Sequence, residues 1–167
     1  RIDDVIMIFH QLRDITPSKL LLVGDGPDRA RIERLCRDLD MLSDVRFLGK
    51  LDAIEEVLSV ADLFLMPSES ESFGLAALEA LACEVPLITS NAGGLPELNI
   101  PGVTGFLSDI GDVDDMVKHA AYILQDENLP RFKENALARA KEFDVARILP
   151  HYESYYARVI ENSKVAL

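Results

Sequence analysis

The residues with the clearest capacity for chemistry lie in one stretch, Pro67-Ser-Glu-Ser-Glu-Ser-Phe-Gly-Leu-Ala-Ala-Leu-Glu-Ala-Leu-Ala-Cys83. Between Gly74 and Cys83 the sole polar side chain is that of Glu79. Ala and Leu are the best apolar helix formers, so residues 73–83 read as a helix apolar on nearly every side, and such a helix is normally buried. A carboxylate buried without partners is costly, so Glu79 needs a partner, and a ligand hydroxyl would serve. The alternative is a half-exposed helix with Glu79 in water. Just ahead, Gly74 lets a ligand approach the backbone, and Ser72 has the side chain of an N-cap. The N–H groups of Phe73, Gly74 and Leu75 then point outward, as a phosphate-binding helix start requires. Glu69 and Glu71 oppose a phosphate unless cations stand nearby, and acids at a helix start also simply complement the macrodipole.

The elements that must position this stretch alternate in type. Residues 62–66 form a short apolar run of the kind that makes a buried strand, so the loop 68–74 leaves a strand and enters a helix. Further strands are expected at 19–24, 45–48, 85–89 and 104–107, the first of them buried. Helices are expected at 3–13, from Pro27 to about 40, and at 52–60, 113–125, 129–143 and 146–161, with Pro130 at a helix start and Pro150 as a break. Strands alternating with helices imply right-handed βαβ units and a parallel sheet. The fold class is therefore α/β, one doubly wound, Rossmann-like parallel sheet with a helical C-terminal tail, in a single domain over residues 1–167. Open sheets of this kind bind ligands at the C-terminal ends of their strands. The loops there are 24–28, 48–50, 68–74 and 91–95, and all four carry glycine.

Composition narrows the partners. A net charge of −12 disfavours nucleic acid and anionic membrane surfaces. No apolar run reaches the length of a membrane span, and no apolar leader opens the chain. Cys36 and Cys83 lie far apart, with neither the number nor the spacing of a disulfide framework or a metal site, so a reducing cytoplasm is the expected compartment. The same negative charge sits awkwardly with a phosphate ligand. Either a few cations are focused at the site or part of the binding surface lies outside this chain.

Other features have bland readings. Gly24-Asp-Gly-Pro lacks the G-x-G-x-x-G spacing of a dinucleotide fingerprint and on its own reads as a turn. His10, His119 and His151 show no metal-ligand spacing. Ser68, Ser70 and Ser72 lack a G-x-S-x-G frame, so triad chemistry is not expected. Gly93-Gly94 is either a sharp turn or a ligand approach. Tyr152, Tyr155 and Tyr156 have the spacing of a packing stripe and are expected in the core.

Taken in order, Leu21-Leu-Val-Gly-Asp-Gly-Pro27, Phe47-Leu-Gly49, the 68–83 stretch and Gly93-Gly-Leu-Pro-Glu97 resemble the successive signatures of the C-terminal, donor-binding half of retaining GT-B glycosyltransferases of group 1. Glu71 and Glu79 match that family's E-x₇-E motif in register with Phe-Gly. The resemblance covers about residues 1–125. It implies transfer of a hexose from a nucleoside-diphosphate sugar, UDP-linked by expectation, to a small-molecule acceptor, with no cofactor and no metal. By the same resemblance Glu71 meets the transferred sugar and is the catalytic position. Glu79 holds the ribose hydroxyls, and the N–H groups of Phe73, Gly74 and Leu75 hold the diphosphate. Gly24 and Gly26 line the cleft, and Leu48 and Lys50 lie near the base. In such a site charge placement dominates, because a leaving diphosphate and an oxocarbenium-like sugar must be stabilised.

Two departures accompany the resemblance. The family draws an Arg and a Lys from a segment before the first helix, and this chain begins at Arg1; the N-terminal acceptor domain is likewise absent, so the chain is expected to be inactive alone. Glu84 stands where the family favours Gly, at a helix end where the left-handed conformation costs a non-glycine residue about 1 kcal/mol. Two other classes remain beside this one: a nucleotide-sugar epimerase of similar fold, and a non-catalytic α/β binding module such as a phosphorylation receiver, for which Asp25 alone is poor support.

Overall fold

The computed structural model describes residues 1–165. Its strands form from the short apolar runs: β1 (Leu20–Val23), β2 (Val45–Gly49), β3 (Phe64–Met66), β4 (Leu87–Ser90) and β5 (Gly105–Ser108). Between and after them lie α1 (Ile2–Ile15), α2 (Arg29–Asp38), α3 (Ile54–Leu58), α4 (Leu75–Ala82), α5 (Leu95–Leu98), α6 (Val113–Ile123), α7 (Leu129–Ala140) and α8 (Val145–Val165), with a 3₁₀ turn at Lys141–Phe143. Every strand pairing between these elements is parallel, as crossover helices demand.

Helices cover both faces of the β3–β4–β5 sheet, and β4 shows why. All four of its residues are buried, so it reads as a continuous apolar run rather than an alternating one. Leu87 faces Ala77, Ala80 and Leu81 of α4 and Leu95 and Leu98 of α5. Its neighbour Ile88 faces Ile8 and Leu12 of α1 and Met116, Val117, Ala120 and Ile123 of α6. The period of two along the strand thus sends successive side chains into two separate cores.

Instead of one ladder there are two: β1–β2 and β3–β4–β5. Helix α1 joins them, because its face carrying Ile6 and Phe9 packs with Ile32 and Cys36 of α2 and with Val45, while Ile8 and Leu12 join the other core. The split corrects the expectation that residues 19–24 form a buried strand. Leu20 and Leu22 turn toward α1 and α2, whereas Leu21 and Val23 are 37% and 38% exposed. The outer face of a two-stranded ribbon has no helix to cover it.

The C-terminal segment holds two further corrections. Pro150 sits inside α8 without ending it. Tyr152, Tyr155 and Tyr156 are more than half exposed, not part of the core. Their spacing describes an amphipathic helix, but the elements of this chain leave that stripe unpacked. Among the described residues no helix is long and apolar enough to cross a membrane, and no cluster of three or more His, Cys, Asp or Glu side chains has metal-site geometry.

Candidate functional site

Loops leaving β3 and β4 are stitched together. Ser90 Oγ donates a hydrogen bond to the Ser68 carbonyl, and the Gly94 N–H donates to the Glu71 carbonyl at 3.1 Å. A Cβ on Gly93 would fall 1.7 Å from the Glu71 carbonyl oxygen, and one on Gly94 would fall 2.5 Å from that of Ser72. Both glycines are therefore required by backbone-on-backbone contact, beyond any turn they make. The close partner of Gly93-Gly94 within the chain is thus the loop that carries Glu71.

That loop enters α4 through Gly74, whose φ of 95° and ψ of 53° place it in the left-handed region as the N-cap. Ser72 is not the cap. Its side chain makes no cap hydrogen bond, and its N–H instead meets Glu71 Oε1 at 3.0 Å. The left-handed turn delays the helix to Leu75. A Cβ at Gly74 would lie 2.8 Å from Leu95 Cδ2, so the short helix α5 presses against the turn from behind. The aromatic ring of Phe73 meets Phe143 edge-on, with centroids 5.7 Å apart, which anchors the loop to the 3₁₀ turn after α7. The N–H groups of Phe73, Gly74 and Leu75 have no protein acceptor among the described residues. They remain available to an anion.

The demand that Glu79 be buried fails. Helix α4 buries Ala77, Ala80 and Leu81 and leaves Leu75, Glu79 and Ala82 exposed. Positions 75, 79 and 82 share one stripe at helical spacing. Composition hid this because Leu75, 68% exposed, is a large apolar side chain on the outer face. Glu79 thus stands in solvent, beside the exposed Leu75, and has no hydrogen-bond or ion-pair partner among the described residues. Glu71 is half-buried, with its main chain fixed by Gly94 and its carboxylate by the Ser72 N–H.

A second group of expected residues gathers at the end of β1 and β2. Gly24, with φ of 115°, donates its N–H to the Gly49 carbonyl at 2.7 Å, which brings the loop of Gly24 and Gly26 against Leu48, Gly49 and Lys50. No hydrogen bond among the described residues joins this group to the loop of Glu71.

Sequence reasoning missed Arg29, a cation at this strand end. Its guanidinium lies 5.7 Å from the centroid of Phe47 and pairs with Glu33 at 2.9 Å and with Asp25 at 3.9 Å. Pro27 marked the helix start, but the partnership with Phe47 is non-local and left no trace in spacing. Arg1 reaches the loop after β5: its Nη2 lies 3.0 Å from where a Gly111 Cβ would stand. The Asp4 carboxylate hydrogen-bonds this guanidinium and raises its affinity for the proton, with Glu69 adding to the effect.

Ser108, His119 and Asp115 are the nearest approach to a nucleophile arrangement. Ser108 Oγ lies 3.5 Å from His119 Nδ1, and Asp115 Oδ2 lies 3.3 Å from that same nitrogen. A relay needs the hydroxyl and the carboxylate on opposite ring nitrogens, so this set cannot activate the serine.

Comparison with known proteins agrees with this architecture. The family model for glycosyl transferases group 1 matches residues 1–139. N-acetyl-alpha-D-glucosaminyl L-malate synthase of Bacillus anthracis is 41% identical over 98% of this chain and 44% of its own length. Glycogen synthase of Mycobacterium tuberculosis is 37% identical over 75% of this chain and 31% of its own. The chain spans less than half the length of these relatives. Among solved structures, sucrose-phosphate synthase from Thermosynechococcus elongatus superposes with a TM-score of 0.84 at 29% identity, over 96% of this chain and 42% of that one. Anabaena HepE, solved in complex with UDP-glucose, superposes with a TM-score of 0.80 at 27% identity, over 92% of this chain and 44% of its own. With a match over most of its length and the signature loops at the C-terminal ends of its strands, this chain belongs to the group 1 glycosyltransferases.

Proposed function

We propose that this chain is the donor-binding half of a retaining hexosyltransferase that takes its sugar from a UDP-linked donor. The observation that carries the reading is the turn at Gly74: a left-handed glycine braced by Leu95, with three outward N–H groups at the start of α4. Those N–H groups and the positive end of the helix dipole hold the diphosphate. Glu71, fixed by its neighbours, meets hydroxyls of the transferred sugar. Glu79, one turn further along α4 than Leu75, takes the ribose hydroxyls. Gly24 and Gly26 offer backbone without side chains, and Leu48 and Lys50 flank the base. No metal takes part in this scheme; charge on the leaving diphosphate is met by N–H dipoles and by cations from outside this chain.

The relative at 41% identity supports a narrower reading, an N-acetylglucosaminyl donor and an L-malate acceptor. That relative's name specifies an alpha-linked product, which agrees with retention when the donor sugar is alpha-linked. An N-terminal domain beyond this chain supplies the acceptor site, consistent with the relatives' greater length. The unpaired thiols Cys36 and Cys83 agree with work in the cytoplasm.

The experiment is a calorimetric titration of UDP into the chain and into its Glu79→Ala form. Binding weakened on the order of tenfold in the variant, as expected for lost charge-assisted hydrogen bonds, supports the ribose role. Equal affinity in both removes it.

A further inference from the structure

A second concave surface lies over β5, on the face of the sheet that packs against α6. The register pairs Leu87 with Gly105 and Ser90 with Ser108, so Phe106 sits near the entry end of β5, while the loops of Glu71 and Gly93 leave from the exit ends of β3 and β4. Around Phe106 opens a cleft of about 750 Å³, lined by Gly102, Lys118, His119, Tyr122, Gln125 and Arg131. The cleft is open rather than enclosed, so a ligand there keeps part of its own surface in solvent.

Its walls are aromatic and its rim is cationic. His119 stacks on Phe106, with centroids 4.2 Å apart and planes 4° from parallel. Tyr122 meets Phe106 edge-on at 5.9 Å and Phe132 at 6.3 Å, and keeps 42% of its surface exposed. No side chain at Gly102 narrows the rim, and a Cβ there would have open space around it. Lys118 comes from α6 and Arg131 from the first turn of α7, and no carboxylate lines the cleft.

Like Arg34, Arg37, Arg46 and Lys50, these two cations have no carboxylate partner among the described residues, but they line one surface together. Arg13, Lys19, Arg29, Arg31, Lys133 and Arg139 all meet carboxylates. Lys118 and Arg131 form no ion pair among the described residues; Arg131 lies over the Phe132 ring at 5.1 Å. Acids outnumber bases 29 to 17, so two cations lining one cleft, where Asp115 is engaged by His119 at 3.3 Å, concentrate positive potential in a negative molecule.

The geometry points to a binding site for a small ring-bearing phosphomonoester, distinct from the donor loops. Its phosphate lies between Lys118 and Arg131, with the Arg131 guanidinium presenting paired donors and Lys118 a point charge. The ring of the ligand rests on the exposed face of Tyr122, and Gln125, whose Oε1 already accepts from Asn128 Nδ2 at 2.8 Å, offers its N–H₂ to hydroxyl or carbonyl oxygens of the ligand. Two sources share this chemistry, a sugar phosphate and a nucleoside monophosphate.

The test is an amide NMR titration of the full chain with glucose 6-phosphate, adenosine 5′-monophosphate and inorganic phosphate in separate arms. Saturable shifts at Gly102, Phe106, Tyr122 and Gln125 with a Kd below ~1 mM for one ring-bearing ligand are expected, with inorganic phosphate weaker by on the order of tenfold. The tighter of the two organic ligands names the source. Lys118→Ala/Arg131→Ala, two exposed positions whose loss leaves the fold intact, weakens that ligand on the order of tenfold or more. UDP-induced shifts at Gly74 and Leu75 stay as they were in the double variant, so this site and the donor site fail independently. Absence of saturation up to ~10 mM, equal affinity for inorganic phosphate, shifts confined to Gly74 and Leu75, or unchanged affinity in the double variant would each overturn the proposal.

Discussion

Gly93 lies so close to Glu71 that a methyl group on its Cα would fall 1.7 Å from the Glu71 carbonyl oxygen. Two loops from neighbouring strands are thereby locked, and the lock depends on the absence of one side chain. Gly93→Ala must displace backbone, and its φ of 53° adds strain for any L-residue. Gly102 is the matched control: its φ is 74°, but nothing lies within 4 Å of a Cβ there. Urea unfolding is expected to show a loss of about 1 kcal/mol for Gly102→Ala, the left-handed penalty alone. Gly93→Ala should lose about 3 kcal/mol or more and UDP binding with it, because overpacking adds to the same strain. Equal losses for the two would mean that the loops part freely.

Glu79→Gln separates binding from folding. The carboxylate is exposed and unpartnered, so the substitution should change stability by less than about 0.5 kcal/mol. Its effect on UDP affinity should reach on the order of tenfold. A stability loss beyond that margin in urea melts would show that the carboxylate has a structural partner.

Glu84 ends α4 with φ of 64°. The sequence already marked this residue as misplaced in a position that favours glycine, and the strained geometry is present. Glu84→Gly should stabilise the chain by about 0.5–1 kcal/mol, the left-handed cost relieved less the entropy of a new glycine. Thermal melting checks this, and a destabilised variant would mean that the Glu84 side chain makes up for its backbone.

Acid should loosen the β1–β2 lobe through two carboxylates. Lys19 Nζ hydrogen-bonds Asp44 Oδ1 at 2.5 Å and holds that carboxyl below its ordinary range; Arg31 does the same for Asp3, with Nη2–Oδ2 at 2.9 Å. A depressed folded-state pKa means that the stabilisation is fully present above the unfolded value of 3.8 and is lost as pH falls through the lower folded value. Hydrogen exchange of the Leu20–Val23 amides should therefore accelerate below about pH 4 in the parent. In Asp44→Asn the Asp44 contribution is already gone, so that part of the acid dependence should vanish. An identical pH profile in the variant would exclude the Lys19–Asp44 pair as a contributor.

What was legible in the sequence is what local chemistry writes there. Every strand was found because its apolar run is bounded by turn residues, and the expected strand, loop and helix put Glu71 in the loop before α4 and Glu79 on α4, where the structure has them. The burial of Glu79 was misread because a helix of Ala and Leu gives no polar face from which to tell inside from outside, and Leu75 occupies the outer stripe. Helix α5 was missed because four residues are too few to show a period. The split between β1–β2 and β3–β4–β5 depends on which strands lie side by side. Four apolar residues look alike whether one face of their sheet is covered or two.

Tyr155 tests the same point from the other end of the chain. Its spacing with Tyr152 and Val159 is that of a buried stripe, yet it is 56% exposed and touches Tyr156 edge-on at 6.2 Å. Phe132 is fully buried, against Phe106 and Tyr122. Truncating a ring costs what its packing supplied, so Phe132→Ala should lose about 3–5 kcal/mol in urea unfolding. Tyr155→Ala should lose less than about 0.5 kcal/mol in this chain, and the α8 amides should exchange rapidly beside those of β4. A loss at Tyr155 approaching that at Phe132 would show α8 packed on a surface, either of this chain or of a second copy. Sedimentation at two concentrations would then tell those cases apart.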